Sequence, residues 1–231
     1  MFKTWKKINL PTKITLARLA LLPFILFFYA MAIGQPQIAF FRDWGKLVAA
    51  ILFVIAVATD WLDGFIARKY NMVTNTGKLL DPVADKMLNM LGFILIIADP
   101  IWFYGHSFAL PYWLAIVAVF IALGRDIIMN SLRFIAAEQG VVIAADRLGK
   151  LKSLFQFIAI TLYMLLAFNL NVFVQFVPDG VWLDTWAWVC VFMLGVATIL
   201  TVWSCANYIA NYVKSVNAKQ KTKEKVENGK E

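Results

Sequence analysis

The sequence predicts an all-α integral membrane protein with six transmembrane helices and both termini on the cytoplasmic side. Of its 231 residues, 61% are apolar and only 16% are charged, whereas an ordinary soluble domain is about 45–50% apolar and about 25% charged. Most of the chain falls into apolar stretches close to the roughly 20 residues needed to cross a bilayer. This composition excludes a soluble enzyme, a secreted disulfide scaffold and a disordered protein.

Six apolar stretches are long enough, as helices, to cross the membrane. Their expected bounds are 16–34, 45–67, 86–104, 110–136, 151–174 and 185–213. Two lysines precede the first stretch, as in a signal peptide, but five further spans downstream favour an uncleaved helix. We therefore expect residues 1–213 to form one six-helix membrane domain.

Lysine and arginine residues are concentrated on one side of this topology. All but two of the 22, Arg42 and Lys46, lie at the start of the chain, around the 2–3 and 4–5 loops, or in the tail. Because cytoplasmic segments carry the excess of these residues, both termini are expected in the cytoplasm. The net charge of +8 favours contact with anionic membrane lipid. Nucleic-acid binding is not favoured, because the basic residues are divided among four segments.

The tail, residues 214–231, differs from the rest of the chain. It mixes lysine with glutamate, asparagine and glutamine, and its apolar residues have no helical period. This composition predicts a solvated, disordered cytoplasmic tail without a catalytic role.

Four aspartates lie where the second span ends and the third begins. Asp60 and Asp63 are three residues apart, and Asp81 and Asp85 are four apart, so each pair shares one helix face. Counting from position 45, the first pair lies about 22–27 Å along its helix, near the inner edge of the bilayer core. Because Pro82 disfavours helical geometry in the residue before it, Asp81 is expected at or just before the start of the third helix.

Four carboxylates facing one another need cations to balance them. No histidine or cysteine lies nearby, so an all-oxygen site indicates a hard divalent ion, Mg²⁺ or Mn²⁺. Two such ions would balance four carboxylates, as in two-metal phosphoryl transfer. One alternative is a salt-bridge cluster with Arg68 and Lys86 that only fixes helix packing. Another is a divalent-cation transporter, although transporter sites tend to lie at the bilayer midplane.

Basic residues of other helices reach a similar depth. Arg125 and Arg133 lie about 22 and 34 Å into the fourth span, and Lys150 and Lys152 open the fifth. Such cations suit a separate anionic substrate beside a metal-bound pyrophosphate. The alternative for each is a side chain that only extends to the membrane surface. Asp99, on the outer side, is expected to be solvated.

The aspartates belong to a longer pattern that resembles a family signature, D-x-x-D-G-x-x-A-R-x8-G-x-x-x-D-x-x-x-D. This is the signature of the CDP-alcohol phosphatidyltransferase family, and the chain matches every fixed position. The matching residues are Asp60, Asp63, Gly64, Ala67, Arg68, Gly77, Asp81 and Asp85. Eight fixed positions would match by chance about once in 10⁹–10¹⁰ starting points. The resemblance covers nearly the whole chain except the tail and the loop 35–43.

The resemblance implies transfer of a phosphatidyl group from CDP-diacylglycerol to an alcohol, with release of CMP. Segments 9–18, 77–86 and 149–153 are similar to members whose acceptor is sn-glycerol 3-phosphate. Asp126 and Ser153 depart from that subgroup, where glutamate and threonine are usual, in the region expected to select the acceptor. Serine, inositol phosphate and phosphatidylglycerol therefore stay open as acceptors.

The resemblance also implies roles for individual residues. Two Mg²⁺ or Mn²⁺ ions would be held by the four aspartates, with Asp85 also the general base. The donor would be bound by Asp60, Asp63, Gly64, Ala67, Arg68 and Gly77. The depth and charge of Arg125, Arg133, Lys150 and Lys152, rather than the resemblance, assign to them the phosphate of glycerol 3-phosphate. A homodimer in the plasma membrane, with its active site at the cytoplasmic face, is the expected form.

Overall fold

The computed structural model describes residues 10–69, 75–99, 112–138, 147–172 and 181–228. Within these ranges the chain forms six α-helices and one short π-helical turn, and no strand occurs. The helices are α1 (Leu10–Gly34), α2 (Lys46–Lys69), α3 (Asn75–Ala98), α4 (Tyr112–Glu138), α5 (Arg147–Val172) and α6 (Val181–Asn228), and the π-helical turn is Phe41–Gly45. The predicted all-α class is confirmed over the described residues.

Four of these helices contain segments long and apolar enough to cross a bilayer, as expected of a multi-pass membrane protein. The segments are Thr12–Gly34, Ala115–Ala136, Leu151–Phe168 and Thr185–Val216. The other two helices, α2 and α3, carry the aspartate pattern. In α3 the charged side chains of Asp81, Asp85 and Lys86 interrupt the apolar sequence. The uninterrupted apolar part of this helix is therefore shorter than the helix itself.

The helix α3 begins earlier than the sequence indicates. It starts at Asn75 and contains both Asp81 and Pro82, so the prediction that Asp81 lies at or before the helix start is wrong. Proline lacks one backbone N–H and crowds one carbonyl, and helices of membrane proteins tolerate this where neighbouring groups compensate. Asp81 and Asp85 therefore lie on one continuous helix.

The helix α6 continues without a break to Asn228, through the segment for which composition predicts disorder. Lysine, glutamate, glutamine and alanine are good helix formers. Extending an existing helix also avoids the unfavourable nucleation step. The structure therefore shows a helix across the predicted boundary between residues 213 and 214.

The chain divides into two compact units. The first comprises Met1–Tyr112 and Phe157–Val191, and the second comprises Trp113–Gln156 and Phe192–Glu231. In the first unit the core includes Ile25, Phe53, Leu88, Leu95 and Met164, all buried. Each unit contains charged side chains that the sequence predicts as site residues.

Two glycines allow close helix packing in the first unit. A Cβ atom at Gly92 would lie 2.7 Å from Ile160 Cγ2, and one at Gly45 would lie 2.9 Å from the backbone oxygen of Phe28. Such distances are shorter than van der Waals contact, so α3 approaches α5, and the π-helical turn approaches α1, only because both residues lack a side chain. These contacts help to fix the helices that carry the aspartates.

A buried ionic group lies where α1 and α3 end and α2 begins. Lys46 Nζ lies 2.6 Å from Asp99 Oδ2, with side chains only 8% and 12% exposed. The Tyr29 hydroxyl donates to the same carboxylate at 3.1 Å. The Tyr163 hydroxyl donates to Ile96 O at 3.1 Å and also contacts the backbone oxygen of Asp99. We call Lys46, Asp99, Tyr29 and Tyr163 the closed cluster.

The expectation that Asp99 is solvated is therefore wrong. A carboxylate can be buried when a cation and hydrogen-bond donors replace its water. Lys46 and Tyr29 supply both in the closed cluster.

Candidate active site

The helix α1 presents polar residues to the aspartates from a buried face. Thr12, Thr15 and Arg18 are spaced three residues apart and are at most 2% exposed. Residues three apart lie on one side of a helix. Within an apolar first helix, this buried polar stripe needs partners on neighbouring helices.

Arg18 bonds to the first aspartate of the pattern. Its Nη1 donates to Asp60 Oδ1 of α2 at 2.5 Å. The arginine side chain is fully buried, whereas the Asp60 side chain is 39% exposed. The cation is thus held inside the protein while the carboxylate stays accessible.

Thr15 bonds to the third aspartate of the pattern. Its Oγ1 donates to Asp81 Oδ1 of α3 at 2.8 Å. Thr15 is fully buried and Asp81 is exposed. Because Thr15 and Arg18 are one helical turn apart, the same face of α1 contacts one carboxylate of α2 and one carboxylate of α3. We call Arg18, Thr15, Asp60 and Asp81 the open cluster.

Other members of the pattern are described less fully. Asp85 lies one turn after Asp81 on α3 and is half-buried. The backbone is helical at five further predicted donor or metal residues, Asp63, Gly64, Ala67, Arg68 and Gly77. The side chains of Asp63, Ala67 and Arg68 lie outside the described residues, as does that of Lys150 on α5.

The donor chemistry of the open cluster fits a hard divalent cation. Both bonds from α1 use Oδ1, and a carboxylate has a second oxygen that can serve a metal ion at the same time. Among the side chains that the structure describes, no three metal-binding groups are already gathered around one point. Asp63, the fourth expected ligand, is not among those side chains.

The second unit contains two cations that share one carboxylate. Lys152 Nζ lies 2.8 Å, and Arg125 Nη1 lies 3.0 Å, from the same atom, Asp126 Oδ1. Arg125 Nη2 also donates to Ser204 Oγ of α6 at 2.9 Å. The Lys152 and Arg125 side chains are 2% and 13% exposed. We call Arg125, Asp126, Lys152 and Ser204 the paired-cation cluster.

The paired-cation cluster is suited to an anion. Its three ionic side chains sum to one positive charge, and the guanidinium and ammonium groups converge from α4 and α5. Charge-assisted hydrogen bonds from such groups are the strong contacts with phosphate. Burial of Lys152 does not fit a side chain that extends to the membrane surface.

Arg133 is placed differently from the other predicted cations. It is exposed, and its Cζ atom lies 5.9 Å from the centroid of the Tyr208 ring. This is a cation–π contact and not one of the bonds that define the paired-cation cluster.

Four residues of these clusters were not predicted as site residues. Arg18 enters the sequence prediction only as one of the basic residues at the start of the chain, and Thr15, Asp126 and Ser204 have no assigned binding or catalytic role. A signal was present for Arg18, because a cation inside the first apolar stretch is costly unless it has a partner. Thr15 lies three residues before Arg18 and therefore on the same face of the first helix.

Comparison with known proteins agrees with the aspartate pattern. The family model for CDP-alcohol phosphatidyltransferases matches residues 8–203. The CDP-diacylglycerol–glycerol-3-phosphate 3-phosphatidyltransferase of Bacillus subtilis (strain 168) is 37% identical over 207 residues, which cover 84% of this chain and 92% of that protein. The protein of the same name from Escherichia coli (strain K12) is 31% identical, over 87% of this chain and 93% of that protein.

Proposed function

Because the chain belongs to the CDP-alcohol phosphatidyltransferase family, we propose that it transfers the phosphatidyl group of CDP-diacylglycerol to sn-glycerol 3-phosphate. The products are phosphatidylglycerol phosphate and CMP. The observation that carries the proposal is the open cluster, in which α1 holds carboxylates of α2 and α3 while leaving them accessible. The names of the relatives support the choice of acceptor.

Four carboxylates would bind the metal ions and the donor. Two Mg²⁺ or Mn²⁺ ions would neutralise charge on the donor's pyrophosphate and on the leaving CMP. Their proposed ligands are Asp60, Asp63, Asp81 and Asp85. The donor-binding residues would be Asp60, Asp63, Gly64, Ala67, Arg68 and Gly77.

Asp85 is the proposed general base. The 1-hydroxyl oxygen of glycerol 3-phosphate attacks the phosphorus of the phosphatidyl group, and the pyrophosphate bond to CMP breaks. The hydroxyl proton passes to the Asp85 carboxylate. This residue is half-buried on α3, one turn from Asp81, and a carboxylate can hold a metal with one oxygen and accept a proton with the other.

Arg125 and Lys152 are the strongest candidates for the acceptor's phosphate. Both are largely buried, and both contact one carboxylate oxygen of Asp126. A phosphate group would provide oxygens for both cations. Lys150 and Arg133 are proposed as additional contacts. A phosphorylated acceptor accounts for these cations better than serine does.

We place the enzyme in the plasma membrane with six spans, both termini in the cytoplasm and the site at the cytoplasmic face. The distribution of lysine and arginine supports this orientation. In this topology α2 and α3 are the two spans that carry the catalytic charges. A homodimer is the proposed assembly.

The test is CMP release by the detergent-purified protein with CDP-diacylglycerol and Mg²⁺. Glycerol 3-phosphate, serine, inositol phosphate and phosphatidylglycerol are added one at a time. We expect release only with glycerol 3-phosphate, its loss in EDTA, and its recovery with Mg²⁺ or Mn²⁺. Asp85→Asn should lower the rate at least about 10²–10⁴-fold, the usual contribution of a positioned base.

Other outcomes would contradict the acceptor, the metal or the general base separately. Release with a different acceptor would keep the phosphatidyltransferase chemistry and replace the acceptor. Full activity in EDTA would contradict the metal assignment, and full activity of Asp85→Asn would contradict the base. Mg²⁺ flux into vesicles without CMP release would favour the transporter.

A further inference from the structure

Two buried polar atoms of the second unit have no hydrogen-bond partner within the described part of the chain. They are Arg125 Nε, a donor, and Gln156 Oε1, an acceptor. Gln156 is only 2% exposed. Buried polar atoms are nearly always paired in native proteins, so an unpaired one calls for a specific explanation.

One of these atoms belongs to the paired-cation cluster, and the other belongs to a residue one helical turn from Lys152. Arg125 is a member of the cluster. Gln156 follows Lys152 by four residues on α5, so the two side chains lie on one helix face. Lys152 Nζ, in turn, lies 2.8 Å from the Asp126 oxygen that Arg125 also contacts. One donor and one acceptor are thus left over around a site that suits an anion.

A ligand that carries both an anionic group and a hydroxyl would supply hydrogen-bond partners for both atoms. The anion would accept from Arg125 Nε, and the hydroxyl would donate to Gln156 Oε1. Glycerol 3-phosphate, the acceptor of the proposed function, has a phosphate and two hydroxyls. Since the 1-hydroxyl is consumed in the reaction, the 2-hydroxyl is the one available for recognition.

We propose that Gln156 is a specificity-determining residue that accepts a hydrogen bond from the 2-hydroxyl of the acceptor, beside the phosphate bound by Arg125 and Lys152. This inference rests on the proposed function. It predicts that the enzyme distinguishes glycerol 3-phosphate from the analogue that lacks only this hydroxyl, propane-1,3-diol monophosphate. A site that hydrogen-bonds a substrate hydroxyl rejects such analogues because its polar group is left unpaired.

The experiment compares kcat/KM for the two acceptors in the full-length protein and in Gln156→Met, which keeps the side-chain length without the amide. For the unchanged protein we expect glycerol 3-phosphate to be preferred about tenfold, the effect of one neutral hydrogen bond. In Gln156→Met the preference should fall to about one, while the rate with the analogue stays within about twofold.

Thr201→Val is the matched control. Thr201 is a fully buried polar residue of the same unit, but its hydroxyl donates to Ala197 O of its own helix at 2.6 Å. Valine keeps the shape, so this variant should retain the tenfold preference. Gln156→Leu serves as a second variant if Gln156→Met does not fold.

Three results would overturn the inference. The first is no preference between the acceptors in the unchanged protein, as expected if a water molecule completes Gln156. The second is a tenfold preference that survives in the Gln156 variants. The third is absence of CMP release with glycerol 3-phosphate, which would overturn the proposed function as well. If the Gln156 variants release CMP with glycerol 3-phosphate and keep the tenfold preference, only the role of Gln156 is overturned and the proposed function is not.

Discussion

The open and closed clusters both link α1 and α2 to residues of α3 or at its end, and the closed cluster also includes Tyr163 of α5, but they differ in what they leave exposed. In the closed cluster both ionic side chains are buried, Lys46 at 8% and Asp99 at 12% exposure. In the open cluster the cation is fully buried, but its partner Asp60 is 39% exposed, and Asp81 is exposed as well. The closed cluster holds segments of the chain together and leaves little of its charge accessible, whereas the open cluster leaves carboxylates accessible to a ligand.

The difference follows from how charges behave when they leave water. Burying both members of an ion pair is costly, and breaking such a pair leaves one charge without compensation. An exposed carboxylate keeps part of its water, so losing its partner costs less stability. We therefore expect the closed cluster to control stability and the open cluster to control catalysis.

The largest effect should come from breaking the closed cluster with Lys46→Met. Asp99 would then be a buried carboxylate with Tyr29 as its remaining side-chain donor. Loss of one partner of a buried ion pair costs about 3–5 kcal/mol. Thermal unfolding in one detergent should show a large drop in midpoint, while the CMP release rate per folded molecule stays unchanged.

The control for this prediction removes both charges. In the double variant Lys46→Met with Asp99→Asn, no buried charge is left uncompensated, so most of the lost stability should return. If Lys46→Met unfolds at the normal temperature, the closed cluster does not hold the helices as argued.

A smaller effect, on activity rather than stability, is expected from Arg18→Met. Without the guanidinium, Asp60 loses the contact that fixes its carboxylate, and residues that orient metal ligands contribute about 10–100-fold in activity or metal affinity. The measurement is kcat and the Mg²⁺ concentration for half-maximal rate, together with the unfolding midpoint.

Arg18→Lys separates charge from geometry in this test. Lysine keeps the positive charge but lacks the planar fork of arginine, so we expect an intermediate loss of rate. A fully active Arg18→Lys would show that charge alone is required. The contrary result is an Arg18→Met protein that unfolds as readily as Lys46→Met and has normal activity per folded molecule. It would show that the open cluster, like the closed cluster, controls stability and not catalysis.

Much of the fold follows from local sequence, because helices depend on neighbouring residues. The spacing of apolar residues and the pattern from Asp60 to Asp85 predict the helices and the aspartates that share a face. The contacts of the open cluster are not local: Arg18 and Asp60 are 42 residues apart, and Thr15 and Asp81 are 66 apart. Periodicity indicates that a buried cation needs a partner, but not which one.

Asp99 and α6 are two further cases in which local sequence does not reveal the structural context of a residue. Whether Asp99 is solvated or buried depends on Lys46 and Tyr29, which lie on helices distant in sequence. The helix beyond position 213 depends on the helix that precedes it, which the composition of the tail alone does not reveal. The Asp99 prediction is wrong because contacts between helices outweigh local composition there.

The smallest effect is expected from Thr15→Val, which removes one hydrogen bond of the open cluster and keeps the side-chain shape. The lost bond, from Oγ1 to Asp81 Oδ1 at 2.8 Å, ends on an exposed carboxylate that water can reach. We therefore expect only about 1 kcal/mol, or roughly a fivefold fall in kcat/KM.

Thr59→Val is the matched control, because Thr59 precedes Asp60 but its hydroxyl donates to Ala56 O of the same helix. If both variants lose activity equally, the loss reflects helix packing rather than the position of Asp81. If only Thr15→Val loses activity, and its unfolding midpoint is unchanged, α1 acts on catalysis through the aspartates that it holds.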